Sequence, residues 1–154
     1  MFSLSSNTHV TLRSKANLDL FSDNTPYIFT NQFCATLNYN SKIRVALSEI
    51  HFPLNFRNDL KQYDISQIFV ITDLVDDSIV GNKRLSILKV ITINKHKNPK
   101  KHSQAEIFQN LFFYPITRNS INNVTIKITD TNGNILNQSK PGKYDETFIV
   151  LNFK

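Results

Sequence analysis

From Asn123 to Thr129 the chain alternates without a break: Val124, Ile126 and Ile128 fall on one side, Thr125, Lys127 and Thr129 on the other. A period of two is the pattern of a half-buried strand, and no single face of a helix reproduces it. Asp130-Thr131-Asn132-Gly133-Asn134 follows. Asn-Gly between apolar runs signals a hairpin, because both residues tolerate the positive φ that tight turns demand. A short strand at Ile135-Leu136, a turn at Lys140-Pro141-Gly142-Lys143 and a last strand over 147–153 complete the C-terminal part, with Ile149, Leu151 and Phe153 on one face. Upstream, strands over 27–37 and 42–52 flank the turn Asn38-Tyr39-Asn40-Ser41. Ile43, Val45 and Leu47 alternate with Arg44, Ala46 and Ser48 until Pro53 removes a backbone donor. Strands over 67–72 and 85–93 are nearly continuous apolar runs, which suits strands covered on both faces. They are joined through Asp73-Leu74-Val75-Asp76-Asp77, read as an exposed acidic turn, and through Gly81-Asn82. A further strand is expected over 107–117, broken at Pro115, and an early one near 9–12.

Composition points the same way. Ile, Val, Thr, Phe and Tyr dominate and there are only four alanines, so the residues favour strands over helices. One short helical turn is expected in the long connection over 56–67. The chain has 154 residues, the size of one domain with a sufficient core, and no repeat or composition shift marks a second. Eight or nine strands in one domain make a sandwich or barrel, and their unequal connections favour a jelly roll over a meander. The expected fold is therefore an all-β single jelly-roll sandwich of about eight antiparallel strands spanning 1–154, with residues 1–25 as an N-terminal arm.

The sequence holds little that chemistry requires. There is no Gly-x-Ser-x-Gly elbow, and three glycines are too few for a phosphate-binding loop. Cys34, the only cysteine, lies mid-strand between Phe33 and Ala35 and reads as a small buried hydrophobe; alone it allows neither a disulfide framework nor a cysteine zinc site. His9, His51, His96 and His102 lack the spacings of a metal site, and Asp73, Asp76 and Asp77 lack the glycine and bidentate glutamate of a calcium loop. No cofactor, no metal and no enzymatic activity are expected. No apolar run approaches the roughly 18 residues of a membrane span, and the first residues, Met1 to Asn7, have no signal-peptide pattern. A reducing compartment and unglycosylated sequons at Asn123 and Asn137 are the corresponding expectations.

Two features stand out against that plain background. Glu49 shares strand parity with Ile43, Val45 and Leu47, which points a carboxylate into the core at high cost. Either a bulge near Ser48 turns it outward or it is paired there; in both cases its role is structural, and its removal is expected to impair folding or assembly. The second feature is the run Lys95-His96-Lys97-Asn98-Pro99-Lys100-Lys101-His102 in a chain of formal net charge +6. Clustered lysines attract phosphate backbones and also serve as nuclear import signals, while a solvated loop is the simplest alternative. Aromatic residues for base stacking are absent from the run.

Two stretches carry the reading further. Lys42-Ile43-Arg44-Val45-Ala46-Leu47-Ser48-Glu49-Ile50-His51-Phe52-Pro53, then Leu54-Asn55-Phe56-Arg57-Asn58, resembles the W-x-V-A-L-x-E-I-x-Y-P…W-x-N segment of penton (minor capsid) proteins. These are encoded by Polinton/Maverick elements, adintoviruses and related virophage-like viruses. Phe113-Tyr114-Pro115-Ile116 followed by Asn119 to Gly133 is similar to the same family's Y-x-P-L…N-x-I-x-x-I-x-I-x-I-x-D-x-x-G pattern. Together they cover about half the chain, in the family's order. Ile43 stands where the family has Trp, and Phe56 replaces a second aromatic; both changes keep apolar bulk.

The resemblance implies two four-stranded sheets, with Val45, Ala46, Leu47, Glu49, Ile50 and Pro53 as structural motif residues. It implies a homopentamer at the vertices of an icosahedral virion, beside a double-jelly-roll major capsid protein. Localisation would be the virion, with assembly in the host nucleus or cytoplasm, and Lys95, Lys97, Lys100 and Lys101 would contact packaged DNA. The rival functions are a jelly-roll carbohydrate-binding module and a small basic nucleic-acid-binding module.

Overall fold

The structure, a computed structural model, describes residues 2–3, 7–39, 42–54, 65–93, 103–136 and 145–154. Twelve strands are found there: β1 (Phe2–Ser3), β2 (Thr8–Arg13), β3 (Ile28–Asn38), β4 (Arg44–Pro53), β5 (Gln67–Thr72), β6 (Ser78–Val80), β7 (Lys83–Leu85), β8 (Ile87–Thr92), β9 (Ser103–Ile107), β10 (Tyr114–Pro115), β11 (Ser120–Thr129) and β12 (Phe148–Phe153). No helix occurs among the described residues. One sheet has the order β1-β3-β11-β5-β8; the other runs β10-β4-β12-β2, with β9 also paired to β4.

Eight of these strands carry the sandwich, and their pairing is nested. β2 pairs with β12, β3 with β11, β4 with β9 and β5 with β8, all antiparallel. The first strand therefore meets the last, the second the second-last, and so on inward. That is one long hairpin rolled across two sheets, a single jelly roll. The inner faces meet in one core, in which Leu12, Phe29, Phe52, Ile68, Ile126, Ile128, Ile149 and Phe153 are buried. Truncating one such phenylalanine to alanine typically costs about 3–5 kcal/mol.

A sandwich has two open edges, and here each is tied by one buried amide. On the first, Asn31 of β3 reaches to Arg13 of β2 in the other sheet. Its Oδ1 accepts the Arg13 N–H at 2.7 Å and its Nδ2 donates to the Arg13 carbonyl at 2.9 Å, so a side chain completes the ladder where no strand follows. On the second edge, Gln104 of β9 donates through Nε2 to the Thr92 carbonyl of β8 at 3.0 Å. The Lys89 ammonium caps the same edge, 4.4 Å from the centre of the Phe108 ring.

Several boundaries differ from the sequence expectation. The strand expected over 107–117 does not form as such: β9 ends at Ile107, 108–113 are irregular, and only the short β10 falls within the expected span. The inward residue of β9 is Gln104, so the stretch offers no hydrophobic period to read. The link between β5 and β8 is not a plain turn. It holds the hairpin β6–β7, and Leu74 and Val75 are buried in the core. Asp73 there accepts from Arg118 Nη2 at 2.8 Å and from the Thr125 backbone N–H at 3.0 Å, which corrects its reading as an exposed acid. The Asn132-Gly133 turn forms as expected, with Gly133 at φ +81° and Asp130 accepting the N–H groups of Asn132 and Asn134. The connection over 56–64 and the turn at 140–143 lie outside the described residues.

Candidate functional site

Val45, Ala46, Leu47, Glu49, Ile50 and Pro53 all sit on β4, which is paired on both sides, while 55–58 of the same stretch lie outside the described residues. β12 lies along one edge, while β9 and β10 share the other. Val45, Ala46, Leu47 and Ile50 are buried. The Pro53 carbonyl accepts the Tyr27 hydroxyl at 2.9 Å in a buried contact. Burial lifts that hydroxyl well above the usual tyrosine range, and the nearby Asp145 charge acts in the same direction.

Glu49 owes its position to a break in the ladder. Leu151 pairs with Leu47 and Val150 with Glu49, so Ser48 is an extra residue on β4. Its hydroxyl donates to the Val150 carbonyl at 3.1 Å, and its own carbonyl accepts the Phe108 N–H at 2.9 Å. A bulge of this kind shifts the alternation by one residue. Val45 and Leu47 point inward before it; Ile50 and Phe52 point inward after it. Glu49 is thereby carried out of the core to the outer face. It lies half-buried in a cross-strand row Thr11–Val150–Glu49–Ile107. The adjacent row is Arg13–Phe148–His51–Ala105. Of the two ways of accommodating Glu49, the bulge is the one observed, and no ion pair to its carboxylate is found among the described residues.

The second motif stretch flanks this surface. Tyr114 of β10 pairs with Val45, and Phe112 stands edge-on to Tyr114 with ring centres 4.7 Å apart. Phe112 is 66% exposed and Ile107 75% exposed. The expected strand 107–117 concealed these residues, because a continuous strand would have buried every second one.

Other candidates resolve plainly. Cys34 is exposed, not buried, because it shares the outward parity of Gln32 and Thr36 on β3, while its neighbour Phe33 packs against the core. His9 and His51 are exposed. Among the described residues no group of three His, Cys, Asp or Glu gathers as metal ligands would, and no helix is long and apolar enough to cross a membrane. Lys95, Lys97, Lys100 and Lys101, together with His96 and His102, lie outside the described residues.

No protein-family model and no curated protein sequence matches the chain. Among solved structures it is similar to the mavirus penton protein, known from a crystal structure of the selenomethionine-labelled protein. The TM-score is 0.67 at 11% sequence identity, covering 97% of this chain and 99% of that one. At this identity the likeness is one of fold, and the fold is penton-like.

Proposed function

We propose that this chain is a penton-like minor capsid subunit whose copies form the vertex capsomers of an icosahedral virion. The observation that carries the reading is the extent of the structural likeness: a single jelly roll that aligns with a penton protein over nearly the full length of both chains. A lone β-sandwich is a general scaffold, and fold alone does not fix function. What narrows it is the agreement of that likeness with the two sequence stretches, whose described residues include β4 and β10 in one sheet and β11 in the other. The role is structural, not catalytic.

On this reading the partners are other copies of the chain, in fives, and a double-jelly-roll major capsid protein. The Lys95–Lys101 run faces packaged DNA, and the protein resides in the virion after assembly in the host nucleus or cytoplasm. The chain's source is a Polinton/Maverick element, an adintovirus or a related virus. Coexpression with a double-jelly-roll major capsid protein, followed by electron microscopy, tests the proposal. Shells with density at the five-fold vertices only when this chain is present support it. Shells that close without it and never incorporate it, together with binding on a glycan array, would move the function to a carbohydrate-binding module.

A further inference from the structure

Ile79 and Ile107 are the two most exposed large hydrophobic side chains among the described residues, at 78% and 75%. Each is paired across an antiparallel ladder with a charged residue, and the charges are opposite. Ile79 of β6 faces Arg84 of β7, whereas Ile107 of β9 faces Glu49 of β4. Directly opposed residues in such a ladder stand side by side on one face of the sheet. The chain therefore displays an isoleucine–arginine pair on one surface and an isoleucine–glutamate pair on another.

We propose that these two surfaces dock on each other between copies: the β6–β7 hairpin of one copy meets the outer face of β4 and β9 on the next. Ile79 lies against Ile107, and Arg84 reaches Glu49. The proposal deepens the capsomer reading by naming the contact, and it rests on that reading only for the number of copies. Four observations favour a second copy as the occupant. The Glu49 carboxylate is half-buried between Val150 and Ile107 and has no ion pair among the described residues, which leaves it open to a cation from a neighbour. The complementary cation, already set beside an exposed isoleucine, is supplied by the same chain. The hairpin is well placed to project: its base is held by Leu85, which packs on the Gly133 turn, and by Lys83 Nζ, which donates to the Asn132 carbonyl. Its tip, from Ser78 through Arg84, is mostly exposed. Because the two surfaces differ, the contact is head-to-tail, the type that closes into a ring when the rotation per copy allows.

The Ser48 bulge then has a purpose. It moves a carboxylate from the core, where it would be costly, to a face where it pairs with a neighbour and fixes register.

A chain carrying Ile79→Cys and Ile107→Cys in a Cys34→Ser background tests the contact under mild oxidation. Head-to-tail docking gives a covalent ladder of two, three and more copies on a non-reducing gel, while either cysteine alone gives no species beyond a dimer. Adding Glu49→Arg cuts ladder formation by about tenfold, and combining it with Arg84→Glu restores it to within about threefold. Circular dichroism melts confirm that each variant folds. Absence of the ladder, or a ladder indifferent to the charge reversal, overturns the proposal. Light scattering on the same wild-type preparation keeps the two readings apart: pentamers whose cysteine variant gives no ladder leave the capsomer reading intact and remove this interface.

Discussion

Replacing Asn31 by leucine isolates the amide that ties one edge of the sandwich. Asn31 is 5% exposed, and its side chain hydrogen-bonds to the Arg13 N–H at 2.7 Å, the Arg13 carbonyl at 2.9 Å and the Thr30 carbonyl at 3.1 Å. Leucine has the same number and branching of side-chain heavy atoms, so no cavity opens, and its bulkier methyl groups add only a modest overpacking cost. What changes is that the Arg13 N–H and C=O lose their partner, and a buried polar group left unpaired costs about 1–3 kcal/mol. These groups are only part-buried, so water recovers some of that, and the expected loss is about 2–3 kcal/mol in total. For a domain of this size the midpoint should fall by roughly 5–10 °C. Asn31→Asp sharpens the test. An aspartate still accepts from the Arg13 N–H but turns an anionic oxygen toward the Arg13 carbonyl, which raises its folded-state pKa. Its neutral form donates to that carbonyl instead. The stability of this variant is therefore fully present below the ordinary carboxylate pKa of about 4 and is lost as pH rises through the raised folded value. Its deficit against wild type should shrink in acid, whereas the leucine deficit should not. Urea titrations followed by circular dichroism, with the m-value as a check on the denatured state, measure both. A leucine variant within about 0.5 kcal/mol of wild type at unchanged m would refute the clamp.

Three further perturbations probe other parts of the molecule. Burial raises the Tyr27 hydroxyl, so the unfolded chain loses its proton near pH 10 while the folded chain retains it; stability should decline above that pH. Tyr27→Phe, measured by thermal melts from pH 8 to 11, should abolish most of that decline; an unaltered profile would assign it elsewhere. Gly133→Ala should cost about 1–2 kcal/mol, because φ is +81° and the added Cβ comes 3.2 Å from Leu85 Cδ2; a neutral melt would contradict the strain. Replacing Lys95, Lys97, Lys100 and Lys101 with Gln should weaken filter binding to DNA and flatten its salt dependence by about one power of salt concentration for each phosphate no longer neutralised, and an unchanged slope would take the run out of genome binding.

The sequence displays the jelly roll most clearly where one face of a strand is apolar and the other polar, as in β11 and β12. It hides the fold where polar side chains point inward. β9 is the clearest case, since Gln104 occupies a core position to bond the Thr92 carbonyl and leaves no period to detect. Asn31 does the same within β3. The exposure of Cys34 follows from the alternation of β3 alone, in which Phe29, Asn31 and Phe33 turn inward and Gln32, Cys34 and Thr36 outward. Glu49 was legible as an anomaly, because an acid at core parity demands a bulge or a partner; the direction it finally faces was not. The β6–β7 hairpin is short and polar apart from Ile79, Val80 and Leu85, and Gly81-Asn82 is its only local signal. Ile79 and Arg84 are brought together by that hairpin, so their pairing is a property of register and not of sequence spacing.

The capsomer reading makes one demand that needs no partner protein. Native mass spectrometry of the purified chain over a range of concentrations counts the copies in its largest stable assembly. The account predicts a closed species of about 89 kDa, five times the 17.8 kDa chain, with no larger ladder beyond it. A chain that remains at 17.8 kDa at every concentration, or that stops at a two-fold dimer, would contradict a vertex capsomer.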